Sequence, residues 1–267
     1  MDRRRFLQLA AALAPLAPAP ASAQAKARVV VVGGGYGGAT AARYLKLWAP
    51  SLEVTLLERE PAFVSCPLSN LVIGGHASIG DVTRSYAGLT NLGVRVVADT
   101  ATAIDPARKA VRLARGPELA YDRLVVSPGV DFQFSAMPNY QAAERAGQVL
   151  HAWKAGSQTL ALRKQLETMR DGGVYVLSIP HAPYRCPPGP YERACQVASY
   201  FKKAKPRSKV LVVDANEDIT SKGPLFRKAW AELYPGLIEY QPNAVAVDVD
   251  GPARTVKLEL DDVKEMY

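Results

Sequence analysis

Apolar positions along this chain fall into short runs separated by small and polar residues. Residues 29–32 are four consecutive valines, the pattern of a parallel strand buried on both faces. Residues 39–47 continue as a helix, and residues 53–57 as a second strand. Residues 94–98 predict another short strand, and residues 103–111 and 121–126 a small meander. Residues 135–148 carry little pattern and predict a connection. Residues 160–170 have amphipathic helical spacing and stop before Gly172 and Gly173. A second strand–turn–helix–strand series follows at residues 174–179, 190–203 and 210–213, with Pro190 in the first turn of its helix and Asp214 closing the last strand. Residues 256–267 alternate like a strand to the end of the sequence. Two such series predict an α/β fold with two Rossmann-like units.

The two turns differ in chemistry. Gly33, Gly35 and Gly38 fit G-x-G-x-x-G directly after the first strand. The first glycine allows a tight turn, the second lets backbone approach a pyrophosphate, and the third lets the helix pack closely on the strand. Glu58 lies 20 residues past Gly38, where a carboxylate can accept from ribose hydroxyls. The first unit therefore predicts dinucleotide binding. The corresponding second turn holds five prolines between residues 180 and 190. Proline has no N–H to offer a phosphate, so this unit is expected not to use a nicotinamide cofactor.

Residues 1–23 read as an export leader, with Arg3, Arg4 and Arg5 before Phe6 and Leu7 in a twin-arginine pattern and Ala21-Ser22-Ala23 as the cleavage site. The apolar segment is short and broken by Pro15, Pro18 and Pro20, which argues against a membrane span. A periplasmic location follows as an expectation. The net charge is +8, densest at Lys202, Lys203, Lys205, Arg207 and Lys209. These residues end a helix, where cations suit the dipole, and no aromatics interleave them, so nucleic acid is not indicated.

Three cysteines are an odd number for an exported protein, so at least one lies outside an internal disulfide. Cys186 precedes a helix N-terminus beside Arg185, and both favour a thiolate with nucleophilic or redox chemistry. Cys195 sits in a helix pattern and reads as a small core residue, though a Cys186–Cys195 disulfide stays open. His76, His151 and His181 are isolated, and no cluster has metal-site spacing.

The leader, VVVVGGGYGGATAARYL, FVSCPLSNLVIGG around Cys66, YDRLVVSPGVDF, GGVYVLSIPHAPYRCPPGPYERA around Cys186 and SKVLVVDAN together resemble the flavoprotein subunit of flavocytochrome c sulfide dehydrogenase. The resemblance implies two Rossmann-like units as in FAD-dependent disulfide reductases. It implies FAD bonded covalently through Cys66, and Cys186 as half of a redox-active disulfide. It further implies sulfide oxidation with electron transfer to a c-type cytochrome subunit. The expected organisation is a leader over 1–23, an FAD-binding domain over 24–135, a second domain with the cysteine loop over 136–245, and a strand segment over 246–267 returning toward the FAD domain. Family members run longer; their C-terminal part, which supplies the partner of Cys186, a second flavin-contacting segment and an interface domain, is expected to lie beyond this sequence, which reads as either incomplete or a shortened homologue. Weak sulfide turnover by this chain alone is therefore expected. Other readings are a sulfide:quinone or NADH:quinone enzyme, or a catalytically silent FAD-binding protein.

Overall fold

The computed structural model describes residues 26–260 and 263–266; the expected leader lies outside the described residues. In chain order the first elements are β1 (Arg28–Val32), α1 (Tyr36–Trp48), β2 (Glu53–Glu58), β3 (Ala62–Val64), α2 (Ser69–Gly74), β4 (Thr83–Ser85), α3 (Ala87–Asn91), β5 (Arg95–Ala98), β6 (Ala101–Asp105), β7 (Ala110–Leu113), β8 (Leu119–Ala120) and β9 (Arg123–Val126). Then follow α4 (Tyr140–Arg145), α5 (Ser157–Thr168), β10 (Val174–Ile179), α6 (Gly189–Ala204), β11 (Lys209–Asp214), α7 (Gly223–Leu233), β12 (Ile238–Gln241), β13 (Ala244–Asp250), β14 (Thr255–Leu260) and β15 (Val263–Met266). They form two compact units. The first runs from the described start to Glu60 and includes Ala87–Pro128; the second is Pro61–Tyr86 with Gly129 onward. The division leaves the chain order drawn from the sequence: Pro61–Tyr86, with Cys66, belongs to the second unit.

The first unit is built on a parallel sheet of order β5-β2-β1-β9. Central β1 buries Val29, Val30 and Val31, as its run of β-branched residues requires. Val30, Leu57, Val111, Leu113, Leu119 and Tyr121 form one core cluster. The antiparallel meander is β6-β7-β8. Residues 121–126 were expected inside that meander, but β9 pairs in parallel with β1 instead. The reason is the apolar triplet Leu124-Val125-Val126, which lines up with Val30, Val31 and Val32 along the central strand.

The second unit holds a parallel sheet of order β10-β11-β12 and an antiparallel sheet of β13-β14-β15. Edge strand β10 alternates, burying Tyr175, Leu177 and Ile179 while Val174 and Val176 face outward. Helix α6 lays Tyr191, Ala194, Val197, Ala198 and Phe201 on the core, the spacing of a single apolar stripe. Truncating a residue such as fully buried Phe201 would cost about 3–5 kcal/mol. The weakly patterned stretch after Ser135 contains the short helix α4.

The basic run after α6 is absorbed by the fold. Lys202 Nζ donates to Leu233 O at 3.0 Å, and Lys205 Nζ to the carbonyls of Glu167 and Met169. Arg207 pairs with Asp171 at 2.8 Å, and Lys209 with Glu239. Among the described residues no helix is long and apolar enough to cross a membrane.

Candidate functional site

Each glycine of the first turn has a separate physical reason. Gly33 adopts φ +95°, and a Cβ there would fall 2.1 Å from Ser127 O. Its N–H donates to Leu57 O at 2.8 Å, closing the turn onto β2. A Cβ on Gly38 would lie 1.8 Å from Gly33 O and 3.2 Å from Val31 Cγ1, so α1 approaches β1 only because that atom is missing. Gly35 is extended, at φ −70° and ψ −167°, and its Cβ would meet nothing within 4 Å. Nothing inside the chain requires a glycine there; the bare backbone faces open space. Helix α1 has no side-chain cap and no acid in its first turn, which leaves its positive end to an outside anion. Glu58, closing β2, turns back on the same loop: Oε2 accepts the Gly34 N–H at 2.5 Å and Oε1 the Glu60 N–H at 2.9 Å. This turn fits a dinucleotide pyrophosphate.

The second unit holds all three cysteines. Cys66 precedes α2, and its carbonyl accepts from Ser69 Oγ at 2.6 Å and Ser69 N–H at 3.0 Å. Its half-buried thiol donates to Trp153 O at 3.3 Å and Ala152 O at 3.6 Å. Arg185 Nη2 lies 3.4 Å from Cys66 Sγ and also donates to Trp153 O. The arginine read from the sequence as a neighbour of Cys186 thus reaches the other cysteine, 119 residues away in the chain.

Cys186 is exposed and adopts φ +58°, a left-handed conformation that is uncommon for a side-chain-bearing residue and costs on the order of 1 kcal/mol. Its carbonyl accepts the Gly189 N–H at 2.9 Å. Its sulfur lies against Gly189, where an added Cβ would approach to 3.2 Å. Asn70 Nδ2 donates to Gly189 O at 3.2 Å and to Glu192 Oε2 at 3.3 Å, joining α2 to the start of α6. Arg193 Nε donates to Asn70 Oδ1 at 3.1 Å, and Nη2 to Ala152 O at 3.5 Å. Burial pulls the Arg193 pKa below its ordinary value, while Tyr175, Cys66, Glu192 and Cys186 act the other way. Arginine remains a cation even so, placing positive charge near both sulfurs.

Beside them lies a cleft of about 280 Å³ lined by Phe132, Trp153, Pro180, Tyr184 and Arg185. Trp153 and Tyr184 meet edge-on at 5.8 Å. Cys195 is different. Trp230 Nε1 donates to its sulfur at 3.3 Å, and burial pushes its thiol upward, which suits an inert core thiol. Cys66, Cys186 and Cys195 are each free thiols in this structure. His151 is buried, His181 is exposed, and among the described residues no His, Cys, Asp or Glu group could hold a metal ion. Asn70, Trp153 and Arg193 were not legible as site residues. Arg193 in YERAC carried the one available signal, a cation one turn into the helix after the Cys186 loop.

The family profile described as pyridine nucleotide-disulphide oxidoreductase matches residues 27–168. The profile described as sulfide dehydrogenase [flavocytochrome c] flavoprotein chain, central, matches residues 159–266. A sulfide dehydrogenase [flavocytochrome c] flavoprotein chain of Chlorobaculum thiosulfatiphilum is 62% identical over 41 residues, 15% of this chain and 85% of that sequence. The mitochondrial sulfide:quinone oxidoreductase of Dictyostelium discoideum is 25% identical over 182 residues, 67% of this chain and 40% of the relative. The crystal structure of the Aquifex aeolicus sulfide:quinone oxidoreductase shares the fold at a TM-score of 0.75 and 22% identity, covering 90% of this chain and 56% of that one. The chain thus spans about half the length of these two sulfide:quinone oxidoreductases.

Proposed function

From the premise that this chain belongs to the pyridine nucleotide-disulphide oxidoreductases, and among them to the flavoprotein chains of flavocytochrome c sulfide dehydrogenase, we propose that it is an FAD-dependent enzyme oxidising sulfide to sulfur or polysulfide. Bound FAD would supply the two-electron redox chemistry. The chain's own residues do the rest. Gly33, Gly35 and Gly38 admit the pyrophosphate, and Glu58 accepts from a ribose hydroxyl. Cys66 holds the flavin through a thioether. Cys186 would take the sulfur as a persulfide, the S–S bond forming as thiol and hydrosulfide together give up two protons and two electrons, the electrons going to bound FAD; Arg185 and Arg193 favour approach of the hydrosulfide anion. Per sulfur, hydrosulfide gives up one proton and two electrons. The electrons leave singly to a c-type cytochrome partner in the periplasm, after export by the twin-arginine leader.

One observation supports this reading: Arg185, the neighbour of Cys186 in the proline-rich loop, lies 3.4 Å from the Cys66 sulfur. The test is anaerobic sulfide-dependent cytochrome c reduction, expected at a low rate in this chain alone and abolished in Cys186→Ser. Denatured holoprotein should keep its yellow colour, and Cys66→Ala should release the flavin. Release from the wild type on acid precipitation would contradict the covalent bond. The likeness to sulfide:quinone oxidoreductases supports a second reading with a quinone acceptor. Faster reduction of a soluble quinone analogue than of cytochrome c would favour it.

A further inference from the structure

In a βαβ unit that reads a dinucleotide, the acid closing the second strand accepts from ribose hydroxyls. Asp214 closes β11 at the corresponding place, yet it is fully buried and its oxygens are taken. Oδ2 accepts from Tyr191 OH at 2.6 Å and Tyr240 OH at 3.0 Å. Oδ1 accepts from Asn216 Nδ2 at 2.7 Å and Asn216 N–H at 3.0 Å. Asn216 and Tyr191 lead onward to the proline-rich loop. Asn216 Nδ2 also donates to Pro180 O at 2.9 Å, and Asn216 Oδ1 accepts the Ala182 N–H at 2.9 Å. Tyr191 OH accepts the Thr220 N–H at 3.1 Å and lies 3.4 Å from Tyr184 OH. Tyr184 OH shares a 2.6 Å hydrogen bond with Thr220 Oγ1 and lies 3.3 Å from Pro187 O.

The loop from Pro180 to Pro187 has no helix or strand of its own, and its prolines offer no N–H groups. It is held largely by side chains: those of Asn216, Tyr191, Thr220 and Tyr184 lead back to Asp214, while Arg185 itself reaches Trp153 O and Cys66 Sγ. We propose that Asp214, acting through Asn216, Tyr191, Thr220 and Tyr184, is a positioning residue that fixes Arg185 and Cys186, the two loop residues following Tyr184. The carboxylate that would read a ribose in a nucleotide-binding unit sets the sulfur-handling loop instead. This deepens the assignment of Cys186 and rests on it.

Thr220 is exposed and supplies the cleanest test. Thr220→Val keeps the volume and removes the hydroxyl; Thr220→Ser keeps the hydroxyl and removes the methyl. The measurement is the rate of Cys186 alkylation by iodoacetamide in the full chain, read by peptide mass spectrometry with Cys195 as internal reference. Thr220→Val should change the Cys186 rate about fivefold, the factor set by one ordinary hydrogen bond, and Thr220→Ser should restore it. Tyr184→Phe should match Thr220→Val. If Ser changes the rate and Val does not, packing rather than hydrogen bonding acts there, and the proposal is overturned. Wild-type rates in Val and Phe overturn it as well. Alkylation needs no sulfide: a response in alkylation together with sulfide-independent flavin would uphold the positioning role while removing the sulfide reading.

Discussion

Two turns in this molecule join a parallel strand to a helix, and they are made from opposite residues. Between β1 and α1 stand glycines whose missing side chains let backbone touch backbone or leave a face open. Between β10 and α6 stand prolines that remove donors and leave the loop to be held by side chains. The acids that follow part company in the same way. Glu58 lies part-exposed on the glycine loop it faces, and Asp214 is buried under four hydrogen bonds. One scaffold, β-turn-α-β, thus supports either an open anion cradle or a closed platform for a cysteine. The choice rests on whether the turn supplies N–H groups and whether the terminal acid stays part-exposed, as Glu58 does, or is buried, as Asp214 is.

The largest expected effect is at the first turn. Gly38→Ala must move backbone, so it should cost about 3 kcal/mol or more in urea unfolding. Gly35→Ala meets open space and should leave the unfolding midpoint unchanged while weakening FAD binding, as titration of apoprotein would read. Equal stability losses in the two variants would break the distinction drawn between crowded and open glycines.

Next come the acids. Asp214→Ala strands the hydroxyls of Tyr191 and Tyr240 and the amide of Asn216, and should cost about 3 kcal/mol. Glu58→Ala should leave the melting temperature nearly in place and raise the FAD dissociation constant. If Glu58→Ala were the more destabilising of the two, the contrast would be reversed.

Much of the scaffold was legible in the sequence, because β-branched runs and a glycine pattern are local signals. β1, β2, β10, α6 and β11 fall where their residues predict, within a few positions at the ends. What escaped depends on contacts across long stretches of chain. Nothing near Cys66 announces that Asn70 will reach Gly189, 119 residues on, or that Arg185 will turn to Cys66 rather than stay with Cys186. The β9 strand was readable as a strand and not as a partner of β1, since pairing is decided by which sheet edge is open. Asp214 was readable as a strand end but not as a buried hub, because Tyr191 and Tyr240 come from α6 and β12, and only Asn216, two residues on, is local.

A smaller effect compares the helix starts. A Cβ at Gly189 would approach Cys186 Sγ to 3.2 Å, contact with a side chain rather than backbone. Gly189→Ala should therefore cost no more than about 1 kcal/mol, far less than Gly38→Ala, and slow Cys186 alkylation. A loss equal to that of Gly38→Ala would show the second turn to be as crowded as the first.

The smallest effect is on pH. Burial holds the His151 imidazole below its ordinary value, with Glu144 opposing. As pH falls below about 6.5 the unfolded chain takes up this proton first, so stability is flat above that pH and declines beneath it. His151→Phe should reduce the fall in melting temperature between about pH 6.5 and pH 5. An unchanged slope would remove His151 from the account.

The contrast between the two turns is tested most directly by what reduces the flavin. Holoprotein is mixed anaerobically with sulfide or with NADH, and the flavin absorbance is followed. Bleaching by sulfide and none by NADH is the predicted result. Rapid bleaching by micromolar NADH, with sulfide leaving the flavin oxidised, would contradict it.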